Sequence, residues 1–459
     1  MTPTPSRSRT PLPLVRGARS LALVAALLGV LTAAACGGGK SSNTPNVTAP
    51  TARDAQVTVD DVNGAKASPE CAAKVKTLRI VTYGNVSASA RNAKAYLEKA
   101  HPGLTVDLSS TATSYAEVVS QISADKAAGR QTDVAVAGYE FLTTFVNDLG
   151  AQELSPKLLR ASYDQRFLPL GQYNGKQYGI PQQVSLPVLM YNENLFKKAG
   201  IDPATLQTTD GVLAAIDKLK AAGVQRPVDL PTEFGYWFLD SMAHSLGTGL
   251  QGSDGKPAYN TPAAQQAMAF LAAVGKSGAQ SQNATTQGAL TFGLQRSATV
   301  GATVAAVGEA RNLLANRGSQ SFPVGVVPFP TLPGGKLTPV AGGNSLVVLS
   351  ADRCQKEMAT EAVVALLSPD VLAAGIQATS YLSIDKRATE LLSDFYAKNP
   401  DLKALNDLAP QLVAPPAWSG TRGSEIPQVT EDEVVSVVGG KDPQAALTEL
   451  QTKATDLTK

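Results

Sequence analysis

Glu140, Arg422 and the glycine pair Gly342-Gly343 are residue types suited to holding an oxygen-rich small molecule. A carboxylate such as Glu140 accepts two hydrogen bonds side by side, which suits the paired hydroxyls of a polyol. The aromatic faces of Tyr83, Tyr236 and Trp237 suit the C–H surface of the same kind of molecule. A phosphate wants a guanidinium fork, which Arg422 could supply, and the backbone N–H groups of a glycine turn such as Gly342-Gly343. Each residue also has an ordinary structural use. Tyr115 and Tyr236 could be core aromatics, Glu140 a helix-start acid, Gly343 a turn and Arg422 a surface ion-pair partner.

Other chemistries are poorly served. The two histidines, His101 and His244, argue against a histidine-based metal site or hydrolase, so no metal and no cofactor is expected. Gly247-Thr-Gly249-Leu-Gln-Gly252 fits the spacing of a dinucleotide loop, but a helix-like segment precedes it and turn residues follow it, which is the wrong context. No phosphate-loop lysine motif and no Gly-x-Ser-x-Gly elbow is present. Asp60-Asp61 and Glu431-Asp432-Glu433 read as solvated acids on a linker and a helix start.

The elements that must position these residues begin behind an export signal. Arg7, Arg9, Arg16 and Arg19 precede the apolar run Leu21–Ala35, whose 15 residues fall short of the roughly 20 that span a bilayer. Without those four arginines, 36 of the 40 basic residues stand against 38 acidic ones, a net of −2, and no basic face points to nucleic acid. Cys36 after three alanines resembles a bacterial lipobox, although Ala33 stands where that pattern prefers leucine. The following glycines and serines have the composition of a tether. With Cys36 lipidated, Cys71 and Cys354 form an even pair in an oxidising compartment, where a disulfide is the expectation and two buried thiols the alternative.

Residues 37 to about 75 show no apolar period and read as a linker. Thr77–Tyr83, Leu104–Leu108 and Asp133–Ala137 read as strands, with helices Ser89–Ala100 and Tyr115–Ala128 between them. That order predicts a parallel sheet covered by helices. Ser185–Tyr191 reads as a short apolar strand, followed by the N-cap Asn192, the helix Glu193–Ala199 and the C-cap Gly200. Further helices are expected at 211–222, 238–246, 262–274, 309–316, 356–367, 388–398 and 444–457, with strands at 324–328 and 345–350.

The segment Tyr173–Asp202 closely resembles the first crossover of the bacterial extracellular solute-binding proteins, the ligand receptors of import ABC transporters. The likeness continues through Pro328–Lys336, Ala341–Leu349, Thr379–Ile384 and Gly439–Leu447. The carboxyl-terminal third is most similar to the branch that binds glycerol 3-phosphate and glycerophosphodiesters, a relative of the sugar-binding branch. In that branch a tyrosine and an arginine contact ligand at positions matching Tyr381 and Arg422. Other contacts match Tyr115, Glu140, Ser185 and Gly343, or its neighbour Gly342. A ligand-packing tryptophan falls on Tyr236, with Trp237 beside it, and a hydroxyl-bearing loop falls near Val304–Gly308, which offers none.

The resemblance implies an α/β, two-lobed periplasmic-binding-protein-like fold of type II, its lobes joined by crossover hinge strands. The expected divisions are a signal peptide at 1–35, a lipidated flexible linker at 36–75, a first lobe at 76–184 with 343–383, and a second at 185–342 with 384–459. It implies a monomeric, lipid-anchored receptor on the outer face of the cytoplasmic membrane. The receptor would pass a sugar or polyol phosphate to permease subunits without bond chemistry. An extracellular carbohydrate-active enzyme would need a second carboxylate opposite Glu140; a sensor without transport is the other alternative.

Overall fold

The computed structural model describes residues 57–82, 87–110, 112–280, 282, 284, 300–306, 322–379, 381–398, 412–420 and 422–459. The expected signal peptide, Cys36, Tyr83 and the helix at 309–316 lie outside these residues. The strands are β1 (Thr77–Val81), β2 (Thr105–Asp107), β3 (Val134–Gly138), β4 (Gln172–Tyr173), β5 (Lys176–Gln177), β6 (Gly179–Ser185), β7 (Pro187–Asn192), β8 (Arg226–Asp229), β9 (Val300–Ala306), β10 (Val324–Pro328) and β11 (Gly342–Val348). They form a five-stranded sheet in the order β2-β1-β3-β11-β6, a four-stranded sheet β10-β7-β9-β8 and the small hairpin β4-β5.

The first sheet is built from strand–helix–strand units. β1 runs parallel to both β2 and β3, with the helices Ser87–Ala100 and Tyr115–Ala127 as connections. β3 is buried at every residue, as expected of a central strand covered on both faces. β11 returns to this sheet antiparallel to β3 and β6, so the sheet is mixed rather than wholly parallel. Pro181 lies inside β6, where the register against β11 shifts between Asn344 and Ser345. An irregularity of this kind accommodates a residue that cannot donate to the ladder.

The chain leaves the first sheet at Ser185, passes the fully buried Leu186 and enters the second sheet at Pro187. Alternate residues of β7 then serve different cores. Val188 and Met190 belong to the first apolar cluster and Leu189 to the second, following the period of two along a strand. The helix after β7 begins and ends as its local chemistry predicts. Asn192 accepts from the Leu195 N–H at 3.2 Å, and Gly200 closes it at φ +62°. Two further stretches pair beside the first crossing. The Leu382 N–H donates to the Val184 carbonyl at 3.0 Å, and Val413 bonds to Pro339 and Ala341 at 3.1 and 2.8 Å.

Three expectations change. Residues 57–75 are not all linker: the helices Val59–Val62 and Pro69–Lys74 pack Val62, Ala67 and Cys71 into the first core. Asp61, read as solvated, is buried and accepts from the N–H of the N-cap Thr58 at 3.0 Å. Likewise Glu433 lies inside the helix Ile426–Val438 and is held by Lys441 at 2.6 Å and Lys453 at 2.8 Å. The expected division at 384 does not follow the packing either. The helices Lys386–Leu391 and Ser393–Lys398 place Ala388, Leu392 and Tyr396 in the first core, whereas Trp418, Ile426 and Leu447 lie in the second. Cys71 and Cys354 are joined by a disulfide that ties the amino-terminal segment to the helix Arg353–Leu366. Beside it, the buried Glu361 accepts from the Ala67 N–H at 2.8 Å and pairs with His101 at 2.9 Å.

Candidate functional site

The carboxyl end of β3 is where the expected site residues gather. The strand stops at Gly138 and turns through Tyr139–Phe141, which brings Glu140 out at the end of the sheet. Glu140 is only half-buried, yet burial pushes its carboxyl group up to about pH 7. Hydrogen-bond donors brought to the ionised form would favour it against that burial.

Tyr115 opens the helix Tyr115–Ala127, whose N-cap Ser114 accepts from the Glu117 N–H at 3.2 Å. Its ring lies on the end of β3. A Cβ built at Gly138 would stand 2.7 Å from the Tyr115 Cγ, so this position needs glycine for the ring to approach. Ser185, at the end of β6, pairs in register with Gly342, and Val184 pairs with Gly343. The Ser185 side chain is 2 % exposed overall, and its hydroxyl oxygen has no hydrogen-bond partner among the described residues.

Gly343 has φ +116°, and a Cβ there would lie 2.0 Å from the Gln183 carbonyl oxygen. Gly342 faces the other half of the molecule, with the Trp237 indole 2.9 Å from its virtual Cβ. Trp237 rides on the helix Gly235–Ser245 and donates from Nε1 to the Val340 carbonyl at 2.7 Å. It is half-buried, so it retains an accessible edge.

Tyr236, beside it, points into the second core. It is 6 % exposed, and its hydroxyl accepts from the Trp418 indole N–H at 2.9 Å. Burial, followed by the charge of Asp240, raises its pKa well above the usual phenol value, and the charge of Glu140 adds to this. Tyr236 is thus a core aromatic close to Glu140. Tyr381 is half-buried near Tyr139, whose own pKa is raised by burial and then by Tyr381 and Glu140. Arg422 stands apart: it is exposed, and its guanidinium fork is held by Glu425 through two hydrogen bonds of 2.7 Å.

Residues that the sequence reading passed over complete the cluster. Asn344 is wholly buried and donates from Nδ2 to the Tyr115 hydroxyl and to Gln183 Oε1, both at 3.0 Å. Tyr139 donates to the Gln183 carbonyl at 2.9 Å. The available signal was a polar pair, Gln182-Gln183, in a strand that is otherwise mostly apolar, and Asn344 just ahead of Leu346-Val347-Val348.

The chain is similar to known proteins in both sequence and fold. The sn-glycerol-3-phosphate-binding periplasmic protein UgpB of Shigella flexneri is 30% identical over 320 residues, covering 62% of this chain and 69% of its own. Among solved structures, UgpB from Mycobacterium tuberculosis in complex with glycerophosphocholine superposes with a TM-score of 0.71 at 19% identity, over 83% of this chain and 98% of that one. The sugar-binding protein MalE of Xanthomonas citri gives 0.69 at 21%, over 83% and 97%. These likenesses show the two-lobed fold of type II periplasmic binding proteins. The family model for bacterial extracellular solute-binding proteins matches residues 84–373, and the chain belongs to that family.

Proposed function

We propose that this chain is the receptor of an ABC importer and captures an oxygen-rich small molecule between its two halves. The ligand class is a sugar, glycerol 3-phosphate or a glycerophosphodiester, handed to a permease without bond chemistry. The observation that carries the reading is the position of Glu140, an acid in the turn at the carboxyl end of a central strand, where Tyr115 and the Ser185–Gly342 pair also lie. Ligands of open α/β folds sit at such strand ends. Tyr115, Ser185, Gly342, Gly343 and Tyr381 stand on the same side, with Tyr83 proposed beside them. Trp237 supplies the aromatic face from the second half, and Tyr236 supports it from behind. Arg422 would reach a phosphate when the halves close about their crossing segments, a hinge motion driven by contacts to both at once.

The relatives named for glycerol 3-phosphate and glycerophosphocholine support the phosphate class, and the MalE likeness supports the sugar class. Export and attachment through a lipid on Cys36 complete the reading, with the receptor acting as a monomer. Titration calorimetry with glycerol 3-phosphate, glycerophosphocholine and maltose tests it; silence toward all three sinks it. For the anchor, an alkyne fatty acid fed to cells should label the wild type and not Cys36→Ala.

A further inference from the structure

We propose that Asn344 is a positioning residue that sets the ligand preference of this site, acting through Tyr115 and Gln183 without touching ligand itself. The inference rests on the function proposed above.

Asn344 is out of place by ordinary burial rules. It is 0 % exposed on a strand whose later residues Leu346, Val347 and Val348 are apolar and also fully buried. A buried amide costs free energy unless its polar atoms are bonded, so a strand core normally excludes it. Here the Nδ2 donors reach two side chains, and the Oδ1 acceptor has no partner among the described residues. Fold stability alone does not call for such a half-satisfied group, because apolar side chains at Asn344 and its buried partner Gln183 together would leave no orphan polar atom.

The positions of the two partners give the amide its role. Asn344 pairs in register with Gly138 on one side and Gln183 on the other. Tyr115 lies over Gly138, one residue before Tyr139 and two before Glu140. Gln183 lies two residues before Ser185. One buried side chain therefore braces the two edges of the proposed ligand floor. The bond polarity also matters. Asn344 donates to both partners, so the Tyr115 oxygen and Gln183 Oε1 accept on that side. With its oxygen accepting from Asn344, Gln183 has its amide hydrogens turned away from that residue. This favours ligands rich in acceptors, phosphate oxygens before sugar hydroxyls.

Asn344→Asp tests the polarity, since it keeps the shape and replaces the donors with an acceptor. Calorimetry on the full chain with glycerol 3-phosphate, glycerophosphocholine and maltose should show the phosphorylated ligands weakened about ten-fold. Maltose should weaken less, so that the affinity ratio shifts. In a Tyr115→Phe background the loss should shrink, because residues acting through one contact are not additive. A buried acid can prevent folding; Asn344→Leu, which removes both hydrogen bonds at similar volume, is then read the same way. If the variant keeps the wild-type affinity ratio, or loses equally with and without the Tyr115 hydroxyl, the positioning role is overturned. If the wild type binds none of the three ligands, the function reading itself falls and takes this role with it.

Discussion

The Tyr139 hydroxyl reaches across the start of β11 to the Gln183 carbonyl, 2.9 Å away on β6. The strand it crosses begins Gly342-Gly343, and a Cβ at Gly343 would lie 2.0 Å from that same carbonyl oxygen and 3.3 Å from the Tyr139 ring. The central strand is thus tied to the strand that leaves for the second half, and the tie exists because glycine lies beneath it.

The two glycines should respond differently to substitution. Gly343→Ala combines a left-handed backbone, φ +116°, with a collision against fixed backbone. The expected loss is about 3 kcal/mol or more in urea unfolding. At Gly342 the obstacle is the Trp237 ring, a side chain that can move. Gly342→Ala should therefore cost less stability and instead alter the tryptophan fluorescence, to which only Trp237 and Trp418 contribute. Equal unfolding losses for the two variants would refute this account of the pair.

Binding should depend on pH through Glu140. Its folded pKa of about 7 lies above the ordinary 4.5, so the ionised carboxylate is a minority form below neutrality. A ligand whose hydroxyls donate to that carboxylate should bind about ten-fold more tightly at pH 8 than at pH 6, and Glu140→Gln should flatten the profile. Stability runs the other way. The folded state holds its proton through a range where the unfolded chain has released it. The burial penalty is therefore absent below about 4.5, grows as pH rises toward 7 and is complete above it. It reaches at most about 3 kcal/mol. Glu140→Gln should narrow the difference in unfolding free energy between pH 5 and pH 8; an unchanged difference would contradict the raised pKa.

Features set by neighbouring residues were legible in the sequence. The helix Glu193–Ala199 has its cap residues at both ends, and the turn chemistry around Val324–Pro328 bounds that strand. Features set by distant contacts were not. Asn344 and Gln183 are 161 residues apart, and Asn344 and Tyr115 are 229 apart. No spacing rule connects them. The helices at 386–398 were recognisable as helices, but an apolar stripe does not say which of two cores it covers. The helix Pro369–Thr379 was missed because its apolar residues, including Val371, Leu372, Ala373 and Ala374, run consecutively without a clear period. Glu425, three residues beyond Arg422, was a local signal that the arginine has a carboxylate to hold.

Breaking the Cys71–Cys354 link should loosen the amino-terminal segment first. The bridge spans 283 residues of sequence, and both cysteines are buried. The paired substitution Cys71→Ser with Cys354→Ser should lower stability by roughly 2–5 kcal/mol. Hydrogen exchange should show the largest gain in residues 57–75, because Glu361 and the neighbouring apolar contacts would hold them without the covalent tie. A uniform gain across both halves would instead mean that the bridge acts only on the unfolded chain.

Arg422 offers the sharpest division between the two ligand classes. Its fork is occupied by Glu425 in a geometry that a phosphate would also seek, two parallel N–H donors toward two oxygens. If closure brings a phosphate to it, the ligand must displace or share that carboxylate. Arg422→Ala should then weaken glycerol 3-phosphate and glycerophosphocholine roughly ten-fold or more and leave maltose unchanged. Glu425→Gln removes the competing charge and should tighten the phosphorylated ligands while leaving maltose alone. Neither change should move the thermal midpoint appreciably, since exposed ion pairs contribute little to stability. Equal effects of Arg422→Ala on all three ligands, or none on any, would remove the arginine from the phosphate site and leave it as the partner of Glu425.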